Sequence, residues 1–153
     1  MWDSDSAYVY KLKHPTILMY FGYSDGGSRD NNTHAACAWM VTDQDNKILH
    51  SNSTYLGSVS NNVAEYYGLI LLLTSAYAGG VREITIIQDS ELVSRQMTGQ
   101  YQVKAEHLKS LYMTAKHLAS QFDSIKFETV PREHPQIAAC DKATNLVLSL
   151  YIK

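Results

Sequence analysis

The sequence predicts an α/β domain built on a five-stranded mixed sheet, three antiparallel strands followed by parallel ones, with helices on both faces. Three observations predict it. Three apolar runs with the length and composition of strands come first, at residues 17–24, 35–42 and 47–56. Helical patterns then alternate with two short apolar runs at residues 84–88 and 125–130, giving the order βββαβααβα. A meander followed by alternating units demands a mixed sheet covered on both sides. At 153 residues and 45% apolar content, the chain is long enough for one core and gives no reason to seek a second domain.

Each element has its own local signal. The first run, ILMYFGYS, is aromatic and apolar, and Gly26-Gly27-Ser28 beyond Asp25 is expected to turn the chain. The second and third runs are separated by Asp43-Gln44-Asp45-Asn46, a polar turn that makes the first three strands an antiparallel meander. Ser60-Asn61-Asn62 is a helix N-cap, and Glu65 falls in the early turns, where a carboxylate suits the helix dipole. That helix is expected to reach residue 78 and to end at Gly79-Gly80. The run at 84–88 reads as a buried parallel strand. Asp89-Ser90 caps a helix to about residue 97, Gly99 breaks it, and further helices cover residues 105–122 and 137–151 around the strand at 125–130. The domain is assigned to residues 17–153, preceded by a loosely held tail at 1–16.

Composition narrows the classes of function. The longest uncharged apolar stretch, residues 66–81, contains three glycines and several polar groups and is shorter than the roughly 20 residues that span a bilayer, so a soluble protein without a membrane partner is expected. The N-terminus is acidic before it is basic and carries no apolar secretory core. Cys37 and Cys140 are read as reduced thiols of an intracellular protein, cytoplasmic or nuclear. Asn52-Ser53-Thr54 matches a glycosylation acceptor and is read as a polar edge strand instead. A net charge of −2 argues against binding nucleic acid through a broad basic surface, though two bound divalent cations would make the balance positive.

Four acids stand where an acid is costly without a partner. Asp25 shares strand parity with Met19, Phe21 and Tyr23, at the end of a largely apolar face. Asp89 ends the run at 84–88, at the carboxyl end of a parallel strand, where open sheets build their sites. Glu65 lies on the helical face of Leu69, Leu72 and Leu73 and so points at the sheet. Asp141 belongs to a helix whose apolar positions pack inward and can approach the same end of the sheet. Each has a structural alternative: a turn residue, a helix cap, a dipole acid, a solvated helix residue. Together they would repel one another and raise one another's pKa values unless hard cations neutralised them. Oxygen ligands favour magnesium, two ions per site, with manganese as a substitute, and no cysteine and histidine spacing suits zinc. Two such ions are what phosphodiester hydrolysis needs, because they stabilise the attacking and leaving oxygens together.

These residues resemble the ribonuclease H type 1 family, from about residue 18 to residue 151. Four segments in order carry the resemblance: Asp25-Gly-Gly-Ser-Arg29, Asn61-Asn-Val-Ala-Glu65, Ile87-Gln-Asp89-Ser-Glu-Leu-Val93, and Val130-Pro-Arg-Glu through Asp141. The resemblance implies a ribonuclease H-like fold and endonucleolytic hydrolysis of the RNA strand of RNA/DNA hybrids, leaving 5′-phosphate and 3′-hydroxyl ends. It implies that Asp25, Glu65, Asp89 and Asp141 bind the metals, and that Asn61 with the backbone at Gly26, Gly27 and Ser28 senses the 2′-hydroxyls that distinguish RNA. Ser60 is placed to hold a phosphate of the DNA strand or to serve as an N-cap alone.

Three positions depart from the family pattern. Asp30-Asn-Asn-Thr-His34 replaces a glycine- and proline-rich loop, and Glu91 stands where a glutamine is frequent, reading as an exposed helix acid. Pro131 occupies the place of a mobile histidine that helps product leave, and His134 is the nearest substitute, either swinging over the site as a proton shuttle or lying on the surface. Only residues 98–104 join the middle helices, too few for the basic handle that some members carry, so Arg95, Lys104, Lys109 and Lys116 are left as a modest positive face or a solvated one. A monomer is expected. The alternatives are a non-catalytic nucleic-acid-binding domain of the same fold, or a related nuclease acting on another duplex.

Overall fold

The structure is a computed structural model that describes residues 18–152, so the expected tail at 1–16, Ile17 and Lys153 lie outside the described residues. Five strands form one sheet in the order β3-β2-β1-β4-β5. β1 (Tyr20–Arg29), β2 (His34–Asp43) and β3 (Ile48–Gly57) are antiparallel, whereas β4 (Glu83–Gln88) runs parallel to both β1 and β5 (Ser124–Thr129). Among the described residues there are four helices: α1 (Asn61–Ala78), α2 (Glu91–Met97), α3 (Glu106–Ser120) and α4 (Pro135–Tyr151).

Strand alternation sorts the core into two clusters. Cys37, Trp39 and Val41 of β2 face one side with Leu69, Leu72 and Leu73 of α1, Val93 and Met97 of α2, and Leu108 and Ala115 of α3. Ala38 and Met40 face the other side with Tyr23, Ile87, and Ile137 and Cys140 of α4. The helices therefore cover both faces, α1 to α3 on one and α4 on the other. Both thiols are free and buried, and burial pushes each up to about 12, which makes them packing groups rather than nucleophiles. Asn52 lies exposed on β3, at the edge of the sheet.

One expectation is corrected. Gly26-Gly27-Ser28 does not turn the chain; β1 runs through it, pairing Gly26 with Cys37 and Gly27 with Ala36. The reversal falls at Asp30, Asn31 and Asn32, three consecutive non-glycine residues at φ 53°, 54° and 67°. Asn and Asp tolerate this left-handed region because their short polar side chains bond the local backbone. The second turn is where it was expected, with Asn46 at φ 62° and Asp43 Oδ1 accepting from the backbone N–H groups of Asp45 and Lys47.

The caps position the acids. Ser60 Oγ accepts from the Val63 N–H and Ser90 Oγ from the Val93 N–H, so at the start of α2 serine does the capping and the Asp89 carboxylate is left out of the cap. Among the described residues no helix is long and apolar enough to cross a membrane.

Candidate active site

At the carboxyl ends of β1 and β4 lies a pocket of about 370 Å³. Among its walls are all four acids, Gly26, Gly27, Asn61, Arg29 and Arg132. β1 delivers Asp25, α1 delivers Glu65, the end of β4 delivers Asp89, and α4 delivers Asp141 from the opposite face of the sheet. Oxygens of Asp25, Glu65 and Asp89 lie within 4.8 Å of one another, the one such group of metal-capable side chains among the described residues.

Close packing sets this geometry. A Cβ on Gly26 would lie 2.4 Å from the carbonyl carbon and oxygen of Ala64, so only glycine lets β1 approach α1 closely enough to bring Asp25 against Glu65. Gly68, one turn further along α1, passes close to the Asp25 carbonyl for the same reason, its Cβ position being 3.1 Å away. Nearby, the Ser28 N–H donates to Asn61 Oδ1 at 2.7 Å, which ties β1 to the first turn of α1.

The charges oppose one another. Asp25 is only 4% exposed, and burial first, then the charges of Asp89 and Asp141, push its carboxyl up to about 7. Glu65 is driven well above the ordinary carboxylate range by burial and then by Asp25 and Asp89, with only the Gly26 N–H and Arg132 opposing. Glu65 Oε2 and Asp89 Oδ1 are buried and unpartnered. Hard oxygen donors, crowded together and lacking protein partners, fit a divalent cation.

His134 does not line the pocket. Pro135 starts α4 at its first position and makes His134 the residue before the helix, tied by its N–H to the Pro131 carbonyl and by its carbonyl to the Ala138 N–H. Its ring lies 5.6 Å from that of Tyr23, beside the core rather than over the acids. Of the four cations considered for a positive face, three are engaged within the protein. Arg95 pairs with Glu91 at 3.4 Å, Lys109 with Glu106 at 2.8 Å, and Lys116 donates to the Met97 carbonyl.

Arg132 lies within the fourth matching segment, but nothing in its local sequence signals a role at the site. Its Nε stands 3.6 Å from Asp89 Oδ2 on a side chain that is 73% exposed, and Asp89 and Asp141 both hold it charged. Arg29 and Asn145 were likewise passed over, since nothing in residue spacing shows that β1 and α4 meet there.

Fold and site together define a nuclease-like α/β domain with a carboxylate centre at the carboxyl end of a mixed sheet. The Reverse transcriptase-like family model matches residues 23–141. The N-terminal RNase H domain of a Mycobacterium tuberculosis bifunctional protein superposes with a TM-score of 0.82 at 36% identity, covering 88% of this chain and 96% of that one. Ribonuclease HI of Halobacterium salinarum is 34% identical over 110 residues, 72% of this chain and 55% of its own length. LC11-RNase H1, solved in complex with an RNA/DNA hybrid, superposes with a TM-score of 0.81 at 32% identity over 88% of this chain and 99% of that one. The chain belongs to the ribonuclease H type 1 family. It spans about half the length of the halobacterial relative and 30% of the full mycobacterial protein.

Proposed function

We propose that the protein is a metal-dependent endonuclease that hydrolyses the RNA strand of RNA/DNA hybrids by a two-metal mechanism, leaving 5′-phosphate and 3′-hydroxyl ends. The observation that carries this reading is the convergence of Asp25, Glu65 and Asp89 within 4.8 Å, with buried oxygens lacking protein partners and Asp141 lining the same pocket. Asp25, Glu65, Asp89 and Asp141 would hold two magnesium ions, with manganese as a substitute. When bound, these ions neutralise the carboxylates, stabilise charge on the phosphoryl oxygens and lower the pKa of the attacking water.

The chain's own residues supply recognition. Asn61 Oδ1 is occupied by the Ser28 N–H, which leaves the Asn61 amide N–H groups to donate to a ribose 2′-hydroxyl or a base edge. Gly26 and Gly27, without side chains, let the RNA backbone approach β1. Ser60 accepts from Val63 through its oxygen, so its own hydroxyl hydrogen stays available for a phosphate of the DNA strand at the N-terminus of α1. Arg132, exposed above Asp89, offers a guanidinium to an RNA phosphate. LC11-RNase H1, similar over nearly its whole length and solved with a hybrid, supports this choice of substrate.

The test is cleavage of a labelled RNA/DNA hybrid in magnesium, beside double-stranded RNA, double-stranded DNA and single-stranded RNA, with Asp89→Asn as control. Cutting confined to the RNA of the hybrid and lost in the variant is expected. Inactivity on the hybrid in both magnesium and manganese would leave the chain as a binding domain of this fold.

A further inference from the structure

Asp141 differs from the other three acids in how it reaches the site. It comes from α4, across the sheet from α1, and it is not among the three carboxylates that meet within 4.8 Å. Something must aim it. One turn further along α4, Asn145 Nδ2 lies 3.4 Å from Asp141 Oδ2. On its other side, Asn145 Oδ1 accepts from Arg29 Nη2 at 2.7 Å. Arg29 ends β1 and is itself anchored by donating from Nη1 to the Ser28 carbonyl at 3.0 Å.

The direction of this relay is fixed by chemistry. A guanidinium only donates, so the carbonyl end of the Asn145 amide must face Arg29, and its NH₂ end must then face the Asp141 carboxylate. The positive charge on Arg29 draws electron density from the amide oxygen and strengthens the N–H groups that point at Asp141. One Asp141 oxygen is thereby held toward Asn145. The relay also begins at Ser28, whose N–H holds Asn61, so the fourth acid and the proposed RNA-sensing amide are referenced to the same stretch of β1.

We infer that Arg29 and Asn145 are positioning residues for Asp141: Arg29 orients the Asn145 amide, and Asn145 sets the direction of the Asp141 carboxylate toward the other three acids. The inference rests on the reading of these acids as a divalent-cation site. Partners that orient a metal ligand are typically worth about tenfold to a hundredfold in metal affinity.

The experiment is calorimetric titration of manganese into the full chain and into Asn145→Ala, Arg29→Met and the double variant, paired with steady-state cleavage of the hybrid. Both substituted residues are exposed, so circular dichroism should report an unchanged fold. Each single variant should bind manganese about tenfold to a hundredfold more weakly. Each should lose kcat more than it gains in KM, and the double variant should be no worse than either single one, since the two residues act in series. Arg29→Lys should recover only part of the loss, because a single ammonium cannot reproduce the fork. Unchanged metal affinity with a raised, salt-sensitive KM would overturn the inference and make Arg29 a phosphate contact. A wild-type chain that binds no manganese would overturn the cation-site reading itself, a result distinct from unchanged affinity in the variants.

Discussion

On one side of the pocket, β1 presses so closely on α1 that a Cβ at Gly26 would lie 2.4 Å from the Ala64 carbonyl. On the other, Arg132 stands 73% exposed with an ion pair of 3.6 Å to Asp89. The first wall is backbone against backbone, clamped by the Ser28 to Asn61 bond and fixed before any substrate arrives. The second is long side chains on the connection from β5 to α4, able to rearrange at small cost. Under the proposed reading, the groups that would discriminate RNA from DNA sit on the rigid side, and the charge that would meet a phosphate sits on the adaptable one. A 2′-hydroxyl is recognised by position, whereas a phosphate tolerates play, since Coulomb attraction falls off slowly with distance.

The largest expected effect comes from removing a carboxylate common to both walls. Asp89→Asn should lower hybrid cleavage by several orders of magnitude while circular dichroism stays unchanged, because Asp89 is one of the three clustered carboxylates and belongs to neither core cluster. Retained activity would remove the acids from the chemistry. Next comes the rigid wall. Gly26→Ala should destabilise the fold by about 3 kcal/mol in denaturant unfolding, since the added methyl meets main chain that cannot move aside. Gly27→Ala, whose Cβ would crowd the Arg29 guanidinium at 3.1 Å and touch Asn61 Oδ1 at an ordinary 3.8 Å, should cost less than about 1 kcal/mol, because a flexible side chain can swing away. Equal losses at the two glycines would show that the wall yields as a whole.

Burial of Asp25, added to by repulsion from Asp89 and Asp141, gives a smaller, pH-dependent effect. Asp25 has an ordinary value of 3.8 and is raised to about 7 in the fold. Between those values the metal-free folded chain holds a proton that the unfolded chain has released, so this contribution to stability is full below 3.8 and is lost as pH rises through 7. With chelator present, the melting temperature should fall between pH 5 and pH 8 by on the order of 5 °C more in wild type than in Asp25→Asn. Magnesium should restore much of that loss at pH 8 and little at pH 5. An equal pH slope in the two proteins would mean that Asp25 is not protonated in the metal-free fold.

The order of elements and the four acids were legible in the sequence for a common reason. Local signals such as Ser60, Gly79 and Ser90 punctuate the helices, and an acid ending an apolar run, as Asp89 does, contradicts its surroundings. What escaped was set by non-local contact. Gly26-Gly27 looks like a turn by composition, yet strand pairing with Cys37 and Ala36 carries β1 through it, and Gly26 serves close approach to α1 rather than reversal. The true turn uses Asp30, Asn31 and Asn32 in left-handed conformations, which a reading keyed to glycine passes over. The bond between Arg29 and Asn145 joins positions 116 residues apart, and no periodicity reports such a meeting.

His134 and Arg132, two residues apart on the connection from β5 to α4, give the finest test of the comparison. Sequence alone offered the histidine either for chemistry, since an imidazole can move a proton near neutral pH, or for the surface. Geometry separates them. Arg132 lines the pocket and faces Asp89, whereas His134 is held beside Tyr23 at the start of α4. Arg132→Ala should therefore raise KM for the hybrid and weaken its salt dependence, with unfolding free energy changed by less than about 1 kcal/mol, the scale of an exposed ion pair. His134→Ala should do the reverse, costing about 1 kcal/mol of stability through lost ring packing and leaving kcat and its pH profile in place. If His134→Ala instead removed a limb of the pH profile near neutrality, the start of α4 would have to open during turnover, and the adaptable wall would extend one element further than the hydrogen bonds of His134 allow.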